Sequence, residues 1–303
     1  MQAPTPAATP APPATPAEPA DPWTAGEGWH RIATVPALQR RPRAVSATRV
    51  GPPAIAVLGE RGRRVMLLRP GSAPLPILLP QDILAVDLAW DESGENPVLF
   101  AVSARDKVAV QVLPEPGEAV EVGRTELAPG RIRVQTRFDG AVEILDALLR
   151  PDPNQPAVRG VAGPGGHRYR GTEQGGLPAV VRSGVGDRQV AVLARIPKAE
   201  SLEVLAMDRA APDAADEPAR GWAAAWTGEG EERALHFVRF DGLGRVLLTA
   251  DPPSSDAPSA FDLRTAVLGD KDLVLVLPGE DGASVWRHAP AADGTRLEVK
   301  LTP

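Results

Sequence analysis

One place in the chain sets an imidazole, a phenol and two guanidinium groups side by side: His167-Arg168-Tyr169-Arg170. It holds the single tyrosine of the 303 residues and has glycines on both sides. Arginine forks onto carboxylates and phosphates. Tyrosine and arginine are also among the side chains that dominate binding hot spots. The chemistry implied for His167, Arg168, Tyr169 and Arg170 is contact with a partner. The competing reading is a basic loop whose Tyr169 merely anchors it to the body.

Catalytic constellations are missing from the sequence. It has no G-x-S-x-G, no S-x-x-K and no Walker loop ending in GK[ST]. The glycine-rich string 160–166 contains a proline and lacks a following Lys-Ser/Thr, so it does not build a phosphate cradle. The four histidines, His30, His167, His236 and His288, are far apart and none has the spacing of a zinc motif. Cysteine is absent, which removes disulfides, thiolate nucleophiles and zinc–thiolate sites together. No catalytic residue and no cofactor is therefore expected from motif reading. An enzyme built from dispersed Asp, Glu, His and Arg at a channel mouth stays open as the alternative.

The elements that must position these groups are short β-branched runs bounded by Gly, Pro and Asp, the pattern of an all-β protein. A strand triplet recurs about every 44 residues, clearest in 44–68, 85–112 and 262–286. Units of this length cannot bury their own apolar face and must stack on their neighbours. The expected fold is a single β-propeller, with six blades visible and seven possible. First strands are placed at 44–50, 84–90, 131–138, 178–184, 220–227 and 261–268. Fourth strands are placed at 75–79, 119–127 and 296–301. Gly28–Val35 would join the blade of 296–301 and close the ring as a clasp. Unit three is the weak one: its second strand, 141–149, has apolar residues at helical spacing that also suit a short helix, and after it 151–176 reads as a long irregular insertion. If that stretch hides strands, a seventh blade becomes possible.

Residues 1–22 are almost wholly Pro, Ala and Thr. They cannot bury enough apolar surface to offset ordering entropy and read as a disordered, extended spacer. The folded body spans 23–303. No signal peptide and no run of 18 apolar residues is visible. A spacer of this kind leads to the expectation of an exported protein whose visible chain follows a removed export signal, anchored through this tail. With a net charge of −6, nucleic acid is a poor default partner.

The stretch 221–245 (GWAAAWTGEGEERALHFVRFDGLGR) resembles the blade repeat of bacterial secreted β-propellers. The units around 52–58 and 270–277 are similar to FG-GAP and VCBS-type repeats. This resemblance implies an extracytoplasmic setting: periplasmic, outer-membrane-associated or secreted. FG-GAP repeats hold calcium in a D-x-D-x-D-G loop. The nearest match here is Asp91-Glu92-Ser93-Gly94-Glu95-Asn96, so the resemblance implies a possible Ca2+ site at Asp91 and Glu95. A solvated acidic turn is the other reading.

Two further features bear on partners. Trp90 and Trp226 both sit at the end of an expected first strand, where they either pack between blades or stack on carbohydrate, as in a lectin. The clusters 39–43 (QRRPR) and 61–64 (RGRR) are basic. If they share one rim, that rim suits an acidic partner surface. The functional expectation is a non-enzymatic protein-binding or scaffold module of a bacterial cell envelope, working through loops on one propeller rim. Another envelope protein is the expected partner. A hydrolase or lyase, or a lectin, is the alternative.

Overall fold

The computed structural model describes residues 21–36, 38, 42–80, 83–92, 96–103, 108–112, 119–124, 132–136, 142–146, 161–162, 167–175, 177–183, 189–195, 199–208, 220–228, 234–241, 246–253, 264–279 and 281–291. Among them there are strands and turns but no helix, hence none long and apolar enough to cross a membrane.

The strands fall into six antiparallel sheets among the described residues. The first holds β2 (Ala44–Ala47), β3 (Ile55–Leu58), β4 (Arg64–Leu68) and β5 (Leu75–Leu78), in that order. The second holds β6 (Ala85–Asp91), β7 (Val98–Ser103), β8 (Val108–Val112) and β9 (Ala119–Arg124). The third is the pair β10 (Ile132–Thr136) and β11 (Val142–Asp146). The fourth runs β12 (Val161–Ala162), β13 (Arg168–Gln174), β14 (Leu177–Ser183) and β15 (Gln189–Arg195). The fifth runs β16 (Ala199–Met207), β17 (Arg220–Thr227), β18 (Ala234–Asp241) and β19 (Val246–Ala250). The last holds β20 (Arg264–Leu268), β21 (Asp272–Leu277) and β22 (Ala283–Ala289), completed by β1 (Gly28–Val35).

Each sheet runs outward from its first strand. First strands neighbour one another: β20 lies by β2, β2 by β6, β6 by β10, β12 by β16 and β16 by β20. Sheets radiating from a ring of inner strands make this a β-propeller. The core is a set of layers between blades, and strand alternation explains it. Ile55, Val57, Met66 and Leu68 face the last sheet, where they meet Val274, Val276 and Val285. Ala56, Leu58, Val65 and Leu67 point the other way, onto Ala85, Leu88, Trp90 and Leu99. In β21 the same division sends Leu273, Leu275 and Leu277 to the fifth sheet, against Trp222, Ala224 and Phe237. A strand covered on both faces reads as a continuous apolar run because neither face can be polar. Each large aliphatic side chain so buried contributes about 1.5–3 kcal/mol.

Of the sequence expectations, two hold and two change. The 141–149 run, read as the second strand of unit three, contains strand β11: its Val142 to Asp146 pair in register with Ile132 to Thr136. Inside 151–176 lie β12 and β13, and these complete the fourth sheet instead of adding a seventh. As a result, 178–184 falls on a third strand and 220–227 on a second, while β16 opens the fifth sheet. The polar sequence RYRGTEQ hides β13. Its Gly171 lies where an added Cβ would stand 1.9 Å from the Leu202 carbonyl oxygen of β16, so the close approach of two backbones marks it. The expected clasp is there: β1 joins the last sheet as its outermost strand, pairing with β22, Gly28 opposite Ala289 through Val35 opposite Ala283. Residues 296–301 lie outside the described residues, as does most of the 1–22 spacer.

Candidate functional site

The inner strands β2, β6 and β20 bring their starts together at one mouth, and β2, β6 and β16 bring their ends together at the other. At the mouth where they end, charges are drawn inward and consumed. The Glu92 carboxylate, buried just past β6, accepts the backbone N–H groups of Arg49 and of Val50, the latter at 3.0 Å. Arg49, just past β2, donates from its guanidinium to the Met207 carbonyl at the end of β16, at 2.5 Å. Arg49 thereby ties the first sheet to the second and the fifth. Asp208 follows Met207 and takes both terminal nitrogens of Arg239, one at 3.1 Å. Arg239 stacks 5.3 Å over Trp222, whose indole N–H donates to the Lys271 carbonyl at 2.8 Å. Burial pushes the Asp208 carboxyl above its ordinary range, while Arg239, Arg49 and Arg220 pull it back down. With both oxygens held by one fork, Asp208 has no geometry for general-base work.

At the mouth where inner strands begin, the arginines face outward. Arg43 stands one residue before β2 and donates to the Ala85 carbonyl, at 2.9 Å, where β6 starts. Arg264, first residue of β20, donates to the Arg43 carbonyl at 2.7 Å. The β3–β4 turn sits beside them. Gly62 of that turn has a φ of 65°, and its carbonyl accepts the Ala85 N–H at 2.7 Å. A Cβ there would lie 2.1 Å from the Ala85 oxygen, so only glycine seats the turn on the second sheet. This docking brings Arg43 together with Arg61, Arg63 and Arg64, all exposed. Among the described residues no carboxylate pairs with Arg61, Arg63 or Arg64. The two basic clusters of the sequence therefore share one rim, as far as their described residues go.

The sequence-singled residues lie elsewhere. Arg168, Tyr169 and Arg170 are on β13 and His167 just precedes it, so they form no irregular insertion loop. Tyr169 is 1 % exposed and packs on Val180, Val204, Met207 and Phe240 between the fourth and fifth sheets. Burial raises its phenol above the ordinary range, against the neighbouring Arg182 guanidinium. The tyrosine is a core anchor and not a rim contact. His167 and Arg170 are half-buried. Asp91 is the last residue of β6, opposite Val98. Glu95 lies outside the described residues, and no cluster of three metal-ligating side chains occurs among those that are described. Trp90 and Trp226 are both buried in inter-blade layers, and Trp226 stands on a second strand. Neither offers an indole face for carbohydrate stacking.

His30 and His288 are near neighbours on the paired strands β1 and β22, whereas His167, just before β13, and His236, on β18, lie at other sheets. His288 is buried between Trp29 and Trp222, with ring centroids 4.9 and 5.4 Å away. Burial, helped by His30, Arg239 and Arg287, lowers it to about 4. His236 stands between the Thr227 hydroxyl, 3.2 Å from Nε2, and the Asp251 carboxylate, 2.9 Å from Nδ1. The order is that of a hydroxyl–imidazole–carboxylate relay. Here, however, Thr227 is 4 % exposed and the Asp251 side chain is 81 % exposed. The would-be nucleophile is sealed and the orienting carboxylate is hydrated, the reverse of what attack on a substrate requires. The three groups tether the ends of β17, β18 and β19. Sequence reading named His236 without its partners and did not link Glu92, Asp208 or Arg239 to theirs, because no local spacing connects residues on different strands.

No protein-family model matches the chain. It is 32% identical over 75 residues to the chloroplastic diaminopimelate epimerase of Oryza sativa subsp. japonica, a match that takes in 22% of this chain and 21% of that protein. The chain thus spans about a fifth of the length of that relative. Among solved structures it is similar to virginiamycin B lyase from Staphylococcus aureus, at 10% identity and a TM-score of 0.43 over 86% of this chain and 98% of that one. It is likewise similar to the PQQ-bound aldose sugar dehydrogenase of Streptomyces coelicolor, at 12% identity and a TM-score of 0.47 over 86% and 96%. A streptogramin B lyase gives 10% identity and a TM-score of 0.47 over 85% and 96%. Likenesses this distant transfer no residue's role.

Proposed function

We propose that this propeller is a non-enzymatic binding module of a bacterial cell envelope or secreted system, and that it takes an acidic protein surface on the rim where its inner strands begin. The observation that carries the reading is the arginine rim: Arg43, Arg61, Arg63 and Arg64 exposed together on a chain whose net charge is −6. Complementary charge steers encounter and fixes orientation. The rim replaces the His167–Arg170 cluster as the contact, since Tyr169 is internal. The Pro/Ala-rich segment suits a spacer from an anchor. The likeness of the repeats to FG-GAP and VCBS units supports a periplasmic, outer-membrane-associated or secreted setting.

The test is capture from a bacterial envelope extract by the immobilised protein. The wild type retains acidic proteins that salt releases, and the triple variant Arg61→Glu, Arg63→Glu, Arg64→Glu retains none of them. Undiminished capture by the triple variant overturns the reading.

A further inference from the structure

A groove of about 470 Å³ opens beside the arginine rim, at the seam between the last sheet and the first. One wall is the end of β1, with Val35 and Pro36; the other is the outer part of the first sheet, with Arg64, Met66, Pro76 and Leu78. The size is that of a ligand-binding cleft. Its floor is apolar and buried at Val35 and Met66, whereas Leu78 at the lip is 59 % exposed. Pro36, Pro74 and Pro76 beside it are exposed as well. Exposed apolar side chains beside an apolar concavity mark contact surfaces. Arg64 belongs both to this groove and to the rim, so the apolar and basic surfaces are continuous.

We infer that this groove takes an extended acidic segment of the partner, one that alternates carboxylate with branched apolar side chains. The inference rests on the rim reading above and names the partner's chemistry. Three observations choose the occupant. Charge comes first: Arg43, Arg61, Arg63 and Arg64 stand exposed together at this rim, beside the single acid Glu60. A segment entering here must be acidic. The groove is also a trough between two strand margins, which fits an extended chain whose alternate side chains point to opposite sides. Thirdly, Pro76 lies on the outermost strand, where it lacks an N–H and blunts addition of a further strand. The segment therefore binds through its side chains and does not extend the sheet. The apolar lining is exposed at Pro36, Pro74, Pro76 and Leu78 and buried at Val35 and Met66, so a lipid surface is the competing occupant that the experiment must separate.

The experiment uses fluorescence anisotropy with two labelled decapeptides, one alternating glutamate and leucine, the other glutamate and serine. Wild-type protein binds the leucine peptide at least about tenfold more tightly, as burial of one leucine side chain implies. Leu78→Asp and, separately, Leu78→Ser remove that preference while keeping the weaker glutamate–serine binding. Thermal melts confirm that both variants are folded. Equal binding of the two peptides by wild type overturns the groove and leaves the rim. A preference that survives in both Leu78 variants places the apolar contact elsewhere and also overturns it. Binding of neither peptide overturns groove and rim together. Adsorption to phosphatidylglycerol vesicles that outcompetes the leucine peptide overturns it in favour of a lipid surface.

Discussion

The two mouths of the propeller use the same side chain in opposite ways. Where the inner strands end, Arg239 is buried in a fork around Asp208, and Arg49 spans three sheets to reach the Met207 carbonyl. Where they begin, Arg61, Arg63 and Arg64 stand in solvent, and Arg43 bonds a backbone carbonyl of the next sheet. Arginine content alone does not distinguish the two. What differs is whether carboxylates were brought to the same place. A mouth with its own counter-charges has used its electrostatic attraction for the fold. In the proposed reading, the mouth whose described Arg61, Arg63 and Arg64 have no carboxylate partner keeps that attraction for another molecule.

The comparison breaks most directly at Asp208. Asp208→Ala leaves Arg239 buried without its counter-charge, and chemical denaturation should register a loss of about 3–5 kcal/mol. A loss below about 1 kcal/mol means that this mouth is no more committed to the fold than the other, since that is the range of an exposed pair.

The second effect is one of pH, at the layer beneath the same fork, where Trp222 lies between Arg239 and His288. His288 is neutral in the fold because its value is lowered from 6.5 to about 4. Between those values the unfolded chain binds a proton that the folded chain refuses. Stability is therefore complete above about pH 6.5 and falls as pH drops toward 4, by about 3 kcal/mol in all. Asp208, raised above the ordinary carboxylate range, works in the opposite direction. The diagnostic is thus the difference between wild type and His288→Gln, whose profile lacks this one-proton slope. Superimposable profiles would exclude His288 as the source.

The smallest effect belongs to the rim. Arg61→Ser, Arg63→Ser and Arg64→Ser together should shift stability by no more than about 0.5 kcal/mol, as for ordinary surface positions. A marked drop in the melting temperature would show that these arginines, like Arg239, serve the fold.

Much of the architecture was legible because a propeller blade writes itself as apolar runs. Ile55–Leu58 and Asp272–Leu277 are almost entirely apolar because each side of the strand meets another blade. The phase of the repeat was not legible, since β13 carries Arg, Thr, Glu and Gln and is recognisable only from its ladder with β14 and from the fit of Gly171. The site divides in the same way. The basic clusters announce themselves as neighbours along the chain, yet whether Arg43 meets Arg61 and Arg63 depends on Gly62 docking at Ala85. The buried network joins residues as far apart as Arg49 and Met207, and no local pattern records a bond of that span.

The antiparallel pairing of β1 with β22 carries a consequence in time. A ribosome releases β1 before the other described strands and β22 after them, so the earlier strand waits for the later. Such long-range pairings form late in folding. The groove wall at Val35 and Pro36 is set in place by that same pairing. A half-made chain would therefore show a partner an arginine turn without the cleft beside it. Only a finished ring presents both, so under the proposed binding role ring closure decides which molecules can engage.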